Sequence, residues 1–85
     1  SERMSFEAAC QKVKSLNSLS NDELLELYAL YKQALMGDNG IPKPGMTDLK
    51  GQAKWNAWDS KKGLSKDDAK NEYAALVEKL EQKYK

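Results

Sequence analysis

Tyrosine and lysine side chains recur at helical spacing in the middle of the sequence, and they are the residues best suited to binding a ligand. Tyr28, Tyr31 and Lys32 lie at positions i, i+3 and i+4, so they share one face of a helix. Lys50 and Lys54 stand at i and i+4 near the start of a later helix. A tyrosine ring can stack on a planar base while ammonium groups meet phosphate oxygens. The pattern therefore suits a ligand that carries both groups.

The same aromatic residues also fit a purely structural interpretation. Tyrosines at this spacing can pack at the edge of a core while the lysines extend into water. Tyr73 lies on the apolar side of the last helical segment, and Trp55 and Trp58 stand about one helical turn apart. Tryptophans at that spacing are more often core residues than stacking partners, so we expect both in the core. For the tyrosines, spacing alone leaves ligand binding and packing open.

The sequence lacks the groups that most enzymes use for acid–base or nucleophilic chemistry. It contains no histidine, and its carboxylates are interleaved with lysines along helix surfaces. Its single cysteine, Cys10, lies on an apolar stripe with no histidine to activate it, which indicates a structural thiol. No zinc-protease, phosphate-loop or hydrolase motif occurs in the sequence. We therefore expect neither an enzyme nor a metal site.

The overall composition limits the remaining possibilities. The chain has 85 residues, enough for one domain with one small core. Its net charge is only +1 although 32% of its residues are charged, which argues against a nucleic-acid-binding protein. The apolar runs are too short for a membrane span or a signal peptide, and one cysteine cannot form an internal disulfide. These features favour a protein of the reducing cytoplasm.

Apolar periodicity and capping residues predict an all-α fold with no β-strand. Ser20 and Glu23 form a capping box, and Gly37 lies where the same helix should end. Residues 37–46 hold three glycines and two prolines, which predicts a long loop. Further N-caps are expected at Ser5, at Thr47 or Asp48, and at Ser65. The predicted helices cover about residues 5–16, 20–36, 48–62 and 65–84.

Loop length predicts which helices lie side by side. The connections between the first and second helices, and between the third and fourth, are short. Each of these pairs is therefore expected to be antiparallel and adjacent. The long loop leaves the direction of the third helix open and allows it to run parallel to the second. The second helix is apolar around more than half its circumference, so it should contact two other surfaces.

Five fragments of the sequence, taken in order, resemble the acyl-CoA-binding protein family. They are Tyr31-Lys32-Gln33-Ala34, Gly37-Asp38, Pro44-Gly45-Met46, the segment from Gly51 to Trp58, and Gly63-Leu64-Ser65 with Ala69 and Tyr73 beyond it. Each fragment alone is a weak signal, whereas the full set at the family's spacing is specific and spans the chain from Phe6 to Tyr84. The resemblance implies a four-helix bundle in up-down-down-up order. It also implies a non-catalytic carrier, without a cofactor, that reversibly binds, buffers and transports long-chain fatty acyl-CoA esters.

The resemblance also implies roles for individual residues. Tyr31 should stack on the adenine of coenzyme A, and Tyr73 should contact the adenine or the ribose. Lys32 and Lys54 should meet the 3′-phosphate, with Tyr28 donating a hydrogen bond to it. The other implied residues contact the acyl chain or the margin of the site, with Leu24, Leu25 and Ala9 along the acyl groove, Lys50 at its edge and Lys14 near the phosphates.

Two other classes of function remain beside the carrier. A protein–protein module could keep the fold and lose the ligand, but the intact set of tyrosines and lysines argues against it. An accessory domain of an enzyme is the other class, and the end of the chain near Tyr84 is more typical of the free carrier. Neither Lys32 nor Lys54 has an acidic residue four positions away, so no intrahelical ion pair accounts for either. We expect a monomer that binds long-chain acyl-CoA, touches acyl-CoA-using enzymes transiently, and neither binds nucleic acid nor spans a membrane.

Overall fold

A computed structural model describes residues 4–84, and it shows four α-helices with no strand in that part of the chain. The prediction of an all-α fold is therefore confirmed. The helices are α1 (Phe6–Val13), α2 (Asn21–Met36), α3 (Leu49–Asp59) and α4 (Lys66–Lys83). Within residues 4–84, no helix is both long enough and apolar enough to cross a membrane.

Side-chain caps determine where the helices begin, because the first backbone N–H groups of a helix have no partner within it. In α2, the Ser20 hydroxyl accepts from the Glu23 N–H while the Glu23 carboxylate accepts from the Ser20 N–H, which confirms the predicted capping box. The other N-caps are Ser5, Asp48 and Ser65, as expected. At the other end of α2, Gly37 adopts a φ of 78°, which favours glycine.

Two helices end earlier than the apolar periodicity predicts. The prediction extended the first helix to residue 16 and the third to residue 62, but α1 ends at Val13 and α3 at Asp59. In both places the chain continues as tight turns with i→i−3 hydrogen bonds, such as Leu16 N–H to Val13 C=O at 3.0 Å. Leu16 lies beyond the end of α1, but its side chain still packs on the core. The apolar periodicity therefore continues past the last residue of the helix.

The second and third helices run in the same direction. The Lys54 ammonium of α3 lies 5.5 Å from the centre of the Tyr28 ring of α2. One turn further along both helices, the Lys32 ammonium of α2 lies 5.0 Å from the centre of the Trp58 ring of α3. Residue numbers therefore rise together along the contact, and α2 and α3 are parallel, as the long loop between them allows.

The fourth helix runs antiparallel to the second. The rings of Tyr31 and Tyr73 are 6.1 Å apart, while Glu23 at the start of α2 accepts a 2.6 Å hydrogen bond from Lys83 at the end of α4. Hydrogen bonds from Lys83 and Tyr84, and from the backbone of Ser20, lower the pKa of the Glu23 carboxyl to about 2. This carboxylate therefore caps α2 and also attaches the end of α4 to it.

The backbone of the first helix lies against that of the fourth and not against that of the second. The Phe6 and Tyr73 rings are 5.1 Å apart, and Lys12 pairs with Glu81 at 2.6 Å, so α1 and α4 are parallel. These directions give the up-down-down-up order that the resemblance implies. The expected adjacency is wrong, however, because the described backbone of α1 makes no close contact with α2, nor does that of α3 with α4. The connections at residues 14–20 and 60–65 are long enough to carry the chain past its sequence neighbour.

The second helix is the centre of the molecule, with α4 on one side and α3 on the other. The sequence analysis predicted that this helix would contact two other surfaces, and the contacts with α4 and α3 agree with that prediction. The principal core lies among α1, α2 and α4 and is made of buried Ala9, Leu27, Leu30, Tyr73, Ala74, Val77 and Leu80. No residue of α3 belongs to this core. The space between α2 and α3 is therefore incompletely filled along part of their length.

The long loop is tied to α3 by tryptophan indoles. Trp58 is buried, as predicted, and its indole N–H donates to the Gly37 carbonyl at 2.9 Å. Trp55 is only half-buried, which differs from the core position expected for it, and its indole N–H donates to the Ile41 carbonyl at 2.6 Å. The single N–H donor of each indole is thus satisfied by a carbonyl of the loop backbone.

A buried glutamine joins three of the sequence fragments that carry the family resemblance. The side-chain amide of Gln33 is buried and donates to the Asp38 carboxylate at 2.9 Å and to the Leu64 carbonyl at 2.7 Å. The same carboxylate oxygen accepts from the Gly63 N–H at 2.9 Å, and Gly63 has a φ of 94°. This network joins the end of α2 to the connection between α3 and α4, so it holds α3 at a fixed position beside α2.

Candidate functional site

A groove of about 370 Å³ lies between the parallel helices α2 and α3. Its walls are formed by Asn21, Leu24, Leu25, Tyr28, Leu49, Lys50, Ala53 and Lys54. The structure thus brings together five residues that the sequence analysis assigned to the site, namely Leu24, Leu25, Tyr28, Lys50 and Lys54. The groove is larger than a second depression of about 250 Å³ on the other side of α2.

Three groove residues were missed by the sequence analysis. Leu49 and Ala53 lie at i and i+4 on α3, on the same face as Lys50 and Lys54, and Asn21 begins α2. The spacing could have revealed Leu49 and Ala53, because residues four apart on a helix are neighbours. The small Ala53 side chain fills little of the space between the two helices, which helps to leave a groove there.

The groove changes character along its length. Leu24, Leu25 and Leu49 form apolar walls at the end where both helices begin. Toward the other end lie the Tyr28 hydroxyphenyl ring and the Lys54 ammonium, 5.5 Å apart. An elongated molecule with an apolar tail and an anionic head would match this order of surfaces.

Two lysines at the polar end each lie over an aromatic ring of the neighbouring helix. Lys54 lies over Tyr28, and Lys32 lies over Trp58. Sequence spacing could not show these contacts, because each joins two helices. Within residues 4–84 neither ammonium forms an ion pair with a carboxylate, so both keep donors for an anion. A cation–π contact at such a partly exposed site contributes about 0.5–1 kcal/mol.

Tyr31 lies in a cluster of three aromatic rings outside the groove. The residue is 39% exposed, and its ring stacks against Phe6 with a centroid distance of 6.0 Å and an interplanar angle of 27°. Tyr73 lies beside both rings and is only 4% exposed. Tyr31 is therefore the most exposed residue of the three. Tyr73 supports it from the core, and Phe6 is a supporting residue that the sequence analysis did not assign to the site.

The two residues assigned to the site from α1 are placed away from the groove. Ala9 is completely buried in the core, so it does not line the groove in this structure, contrary to expectation. The physical reason is that α1 packs on α4, which turns its small-residue face inward. Lys14 is exposed at the C-cap of α1 and is not among the groove residues.

The thiol of Cys10 has the properties of a structural group. Burial raises its pKa, and a hydrogen bond with the Tyr73 hydroxyl opposes this effect only in part. Burial likewise raises the pKa of Tyr73. Because the thiolate is the reactive form of cysteine, a raised pKa leaves Cys10 a poor nucleophile at neutral pH. The described residues also include no cluster of side chains that could hold a metal ion.

Replacing Cys10 with alanine is expected to lower stability by about 1 kcal/mol and leave ligand binding nearly unchanged. The thiol packs against the core beside Tyr73, but it does not line the groove. Thermal unfolding and calorimetric titration of Cys10→Ala would measure both effects. Gln11→Ala, an exposed change on the same helix, serves as the control and should alter neither. Loss of ligand binding in a folded Cys10→Ala protein would contradict the structural role.

Comparison with known proteins identifies the family to which this arrangement belongs. The family model described as "Acyl CoA binding protein" matches residues 3–77 of the chain. The chain belongs to the acyl-CoA-binding protein family. The match includes α1, α2 and α3, most of α4, and every residue that lines the groove.

Individual members of the acyl-CoA-binding protein family are similar over nearly the whole chain. The acyl-CoA-binding protein homolog 1 of Caenorhabditis elegans is 63% identical over 82 residues, which is 95% of each chain. The homolog of Drosophila melanogaster is 56% identical over 80 residues, which is 93% of each chain. The acyl-CoA-binding protein of Saccharomyces cerevisiae is 54% identical over 78 residues, covering 87% of this chain and 90% of its own.

Solved structures from the acyl-CoA-binding protein family share the fold. The crystal structure of acyl-CoA-binding protein 2 from Oryza sativa superposes with a TM-score of 0.89 at 39% identity, covering 92% of this chain and 88% of its own. The solution structure of the yeast protein gives a TM-score of 0.72 at 52% identity and covers 93% of each chain. The four-helix, acyl-CoA-binding protein fold predicted from the sequence is therefore confirmed.

Proposed function

We propose that this protein reversibly binds the coenzyme A esters of long-chain fatty acids, buffers them and carries them within the cell. Family membership supports acyl-CoA binding and transport, and the family's proteins are carriers that perform no chemistry and use no cofactor. The single observation that carries the proposal for this chain is the groove between α2 and α3. It has leucines at one end and a lysine over a tyrosine at the other.

The order of surfaces along the groove suggests how the two halves of the ligand divide. Leu24, Leu25 and Leu49 would take the apolar acyl chain, which leaves water on binding. Lys54 and Lys32 would meet the 3′-phosphate, with the Tyr28 hydroxyl as a further donor. The ligand would then gain affinity from apolar burial at its acyl end and from charge at its nucleotide end. Neither the free fatty acid nor free coenzyme A alone should therefore bind well.

The aromatic cluster supports a stacking role for Tyr31. The open part of its ring would receive the adenine, while Phe6 and Tyr73 hold the ring from the other sides. A contact from Tyr73 to the adenine or ribose would involve only the small exposed fraction of its side chain. Lys50, which is exposed at the groove wall, would attract the phosphates from the edge. Lys14 would do so from the end of α1.

The proposal also covers the domain extent, cellular location, oligomeric state and partners of the carrier. The chain would act as one acyl-CoA-binding domain covering residues 1–85, in the cytoplasm and as a monomer. It would deliver its ligand through transient contacts with acyl-CoA-using enzymes and would not bind nucleic acid. The even balance of charge supports a protein that meets several partners without strong nonspecific attraction.

Incubation with palmitoyl-CoA should give a one-to-one complex from which the ligand is recovered unchanged. Native mass spectrometry would count the bound molecules, and chromatography of the extracted ligand would detect any cleaved thioester. The raised pKa of the Cys10 thiol and the absence of histidine predict no cleavage. Hydrolysed ligand would indicate an enzyme, and a protein that stays folded without binding palmitoyl-CoA would indicate a protein–protein module.

A further inference from the structure

The two lysines assigned to the 3′-phosphate belong to different helices, so the position of α3 beside α2 should decide how well that phosphate is held. Lys32 lies on α2 and Lys54 lies on α3. Their assignment to one phosphate rests on the proposed function. A shift of about 1 Å between the two helices would stretch one of the two contacts, because hydrogen bonds are sensitive to distance and angle.

Core packing contributes little to the position of α3. Trp58 is the one buried residue of this helix within the described chain, and no α3 residue belongs to the principal core. The first half of α3 lines the groove, where the space between the helices is incompletely filled. Contacts near the C-terminal end of α3 therefore matter most for its position beside α2.

Three successive residues that follow α2 contact α3 or the turn after it. We call them the clamp and define it as Gly37, Asp38 and Asn39. The Gly37 carbonyl accepts from the Trp58 indole N–H at 2.9 Å. The Asp38 carboxylate accepts from the Gly63 backbone N–H at 2.9 Å. The side chain of Asn39 is buried and donates to a backbone carbonyl of α3 at 3.3 Å.

Asp38 is the member of the clamp that joins both helices through one oxygen atom. Its Oδ1 accepts from the Gly63 N–H and from the side-chain amide of Gln33 on α2. These two bonds lower the pKa of the Asp38 carboxyl, which is therefore ionised at neutral pH and a strong acceptor. Gln33 directly follows Lys32, whose ammonium lies over the Trp58 ring. The carboxylate is thus linked to groups on both sides of the polar end.

We propose that Asp38 is a positioning residue for the ligand, because its carboxylate holds α3 against α2 so that Lys32 and Lys54 meet the same 3′-phosphate. Asp38 would not touch the phosphate itself, since two anions repel each other. It would set the spacing of two cations that sit on separate helices. The clamp would thereby help the site to distinguish an acyl-CoA from an acyl-dephospho-CoA, which lacks the 3′-phosphate.

Asp38→Ala is expected to weaken palmitoyl-CoA binding about tenfold, which is less than the full loss of one lysine contact. Charge alone predicts the opposite sign, because removing a negative charge favours an anionic ligand. The affinity for palmitoyl-dephospho-CoA should change by no more than about twofold, since apolar contacts are non-directional and tolerate a small shift of α3. Isothermal titration of the parent protein and the variant with both ligands gives the two affinities and their ratio.

Asp38→Asn and Asp59→Ala are the matched controls. Asp38→Asn removes the charge but keeps an oxygen that can accept from Gly63 and Gln33, so it should recover palmitoyl-CoA affinity to within about threefold of the parent value. Asp59 pairs with Lys62 at 3.4 Å, a contact that does not join two helices. Asp59→Ala removes the same charge and should leave the ratio of the two affinities unchanged.

The ratio of the two affinities remains informative if Asp38→Ala is less stable than the parent protein. Partial unfolding would lower both affinities by the same factor, because each ligand binds only the folded protein. Thermal unfolding of each variant without ligand records the loss of stability separately. A merely structural role for Asp38 would lower the midpoint of unfolding and leave the ratio as it is in the parent protein.

Three results would overturn the proposal. One is an equal loss of affinity for both ligands in Asp38→Ala. Another is tighter palmitoyl-CoA binding in Asp38→Ala, as charge alone predicts. The third is an Asp38→Asn protein that loses as much affinity as Asp38→Ala, since the hydrogen-bonded oxygen would then be irrelevant. If the parent protein fails to bind palmitoyl-CoA at all, the proposed function itself has failed.

Discussion

Palmitoyl-CoA is expected to bind this protein about ten-thousandfold more tightly than free coenzyme A, with about seven methylenes buried at about 0.8 kcal/mol each. The groove between α2 and α3 has a volume of about 370 Å³ and is lined partly by leucine and alanine side chains. Free coenzyme A lacks the acyl chain that would occupy this apolar part of the groove. Isothermal titration with both ligands under the same conditions would measure the ratio. A shorter acyl chain should fall between the two ligands.

Free palmitate should be the weakest of the three ligands. It carries the apolar chain but lacks the adenine and phosphates, so it gains nothing from the ring of Tyr31 or from the ammonium groups of Lys32 and Lys54. Its carboxylate would also have to leave water, which opposes binding. Titration of palmitate beside the other two ligands completes the comparison. An affinity for palmitate equal to that for palmitoyl-CoA would indicate a plain fatty-acid carrier and contradict the assigned nucleotide end.

Replacing Lys32 or Lys54 with alanine is expected to weaken palmitoyl-CoA binding by about ten- to hundredfold, since a hydrogen bond to a charged group contributes about 1.5–3 kcal/mol. Each ammonium lies over an aromatic ring of the neighbouring helix and has no carboxylate partner within residues 4–84. The lost cation–π contact should lower the free energy of unfolding of the ligand-free protein by about 0.5–1 kcal/mol. Each substitution should therefore reduce the free energy of palmitoyl-CoA binding more than it reduces the free energy of unfolding.

A matched lysine separates loss of a phosphate contact from loss of a cation–π contact. The Lys43 ammonium lies 5.7 Å from the centre of the Trp55 ring, but Lys43 does not line the groove. Lys43→Ala should therefore cost similar stability and leave the affinity for palmitoyl-CoA within about twofold of the parent value. Titration and thermal unfolding of Lys32→Ala, Lys54→Ala and Lys43→Ala would compare the three positions directly.

A second ligand tests which phosphate the lysines contact. Palmitoyl-dephospho-CoA lacks the 3′-phosphate, so the parent protein should bind it poorly and Lys32→Ala or Lys54→Ala should lower its affinity little further. Titrating each variant and the parent protein with both ligands gives a thermodynamic cycle whose coupling energy isolates the contact. If the variants lose the same affinity for both ligands, the lysines do not bind the 3′-phosphate and that assignment is wrong.

Local interactions made the helices predictable from the sequence. Ser5, Ser20, Asp48 and Ser65 cap helix starts through bonds to backbone only a few residues away, and such bonds do not depend on the rest of the fold. The ends of α1 and α3 were less predictable. There the chain changes from α-helical to tighter turns while side chains such as Leu16 still face the core.

Helical spacing also identified much of the candidate site. Leu25, Tyr28 and Lys32 lie on one side of α2 because residues three and four apart on a helix are neighbours, and Lys50 and Lys54 share a side of α3 for the same reason. The family fragments implied which of these residues should serve a ligand. Spacing within one helix carries no information about the neighbouring helix, so it could not show that Lys32 lies over a tryptophan or that Ala9 is completely buried.

The sequence by itself determined the four helices, their caps, the long loop and the residues on each helix face, because all of these depend on short-range bonds and periodicity. Only the tertiary structure decided that α1 packs on α4 and that α3 runs parallel to α2. Those choices are set by contacts such as that of Gln33 with Leu64, which join parts of the chain that are distant in sequence. The groove exists only because two helix faces, each predictable alone, meet side by side without filling the space between them.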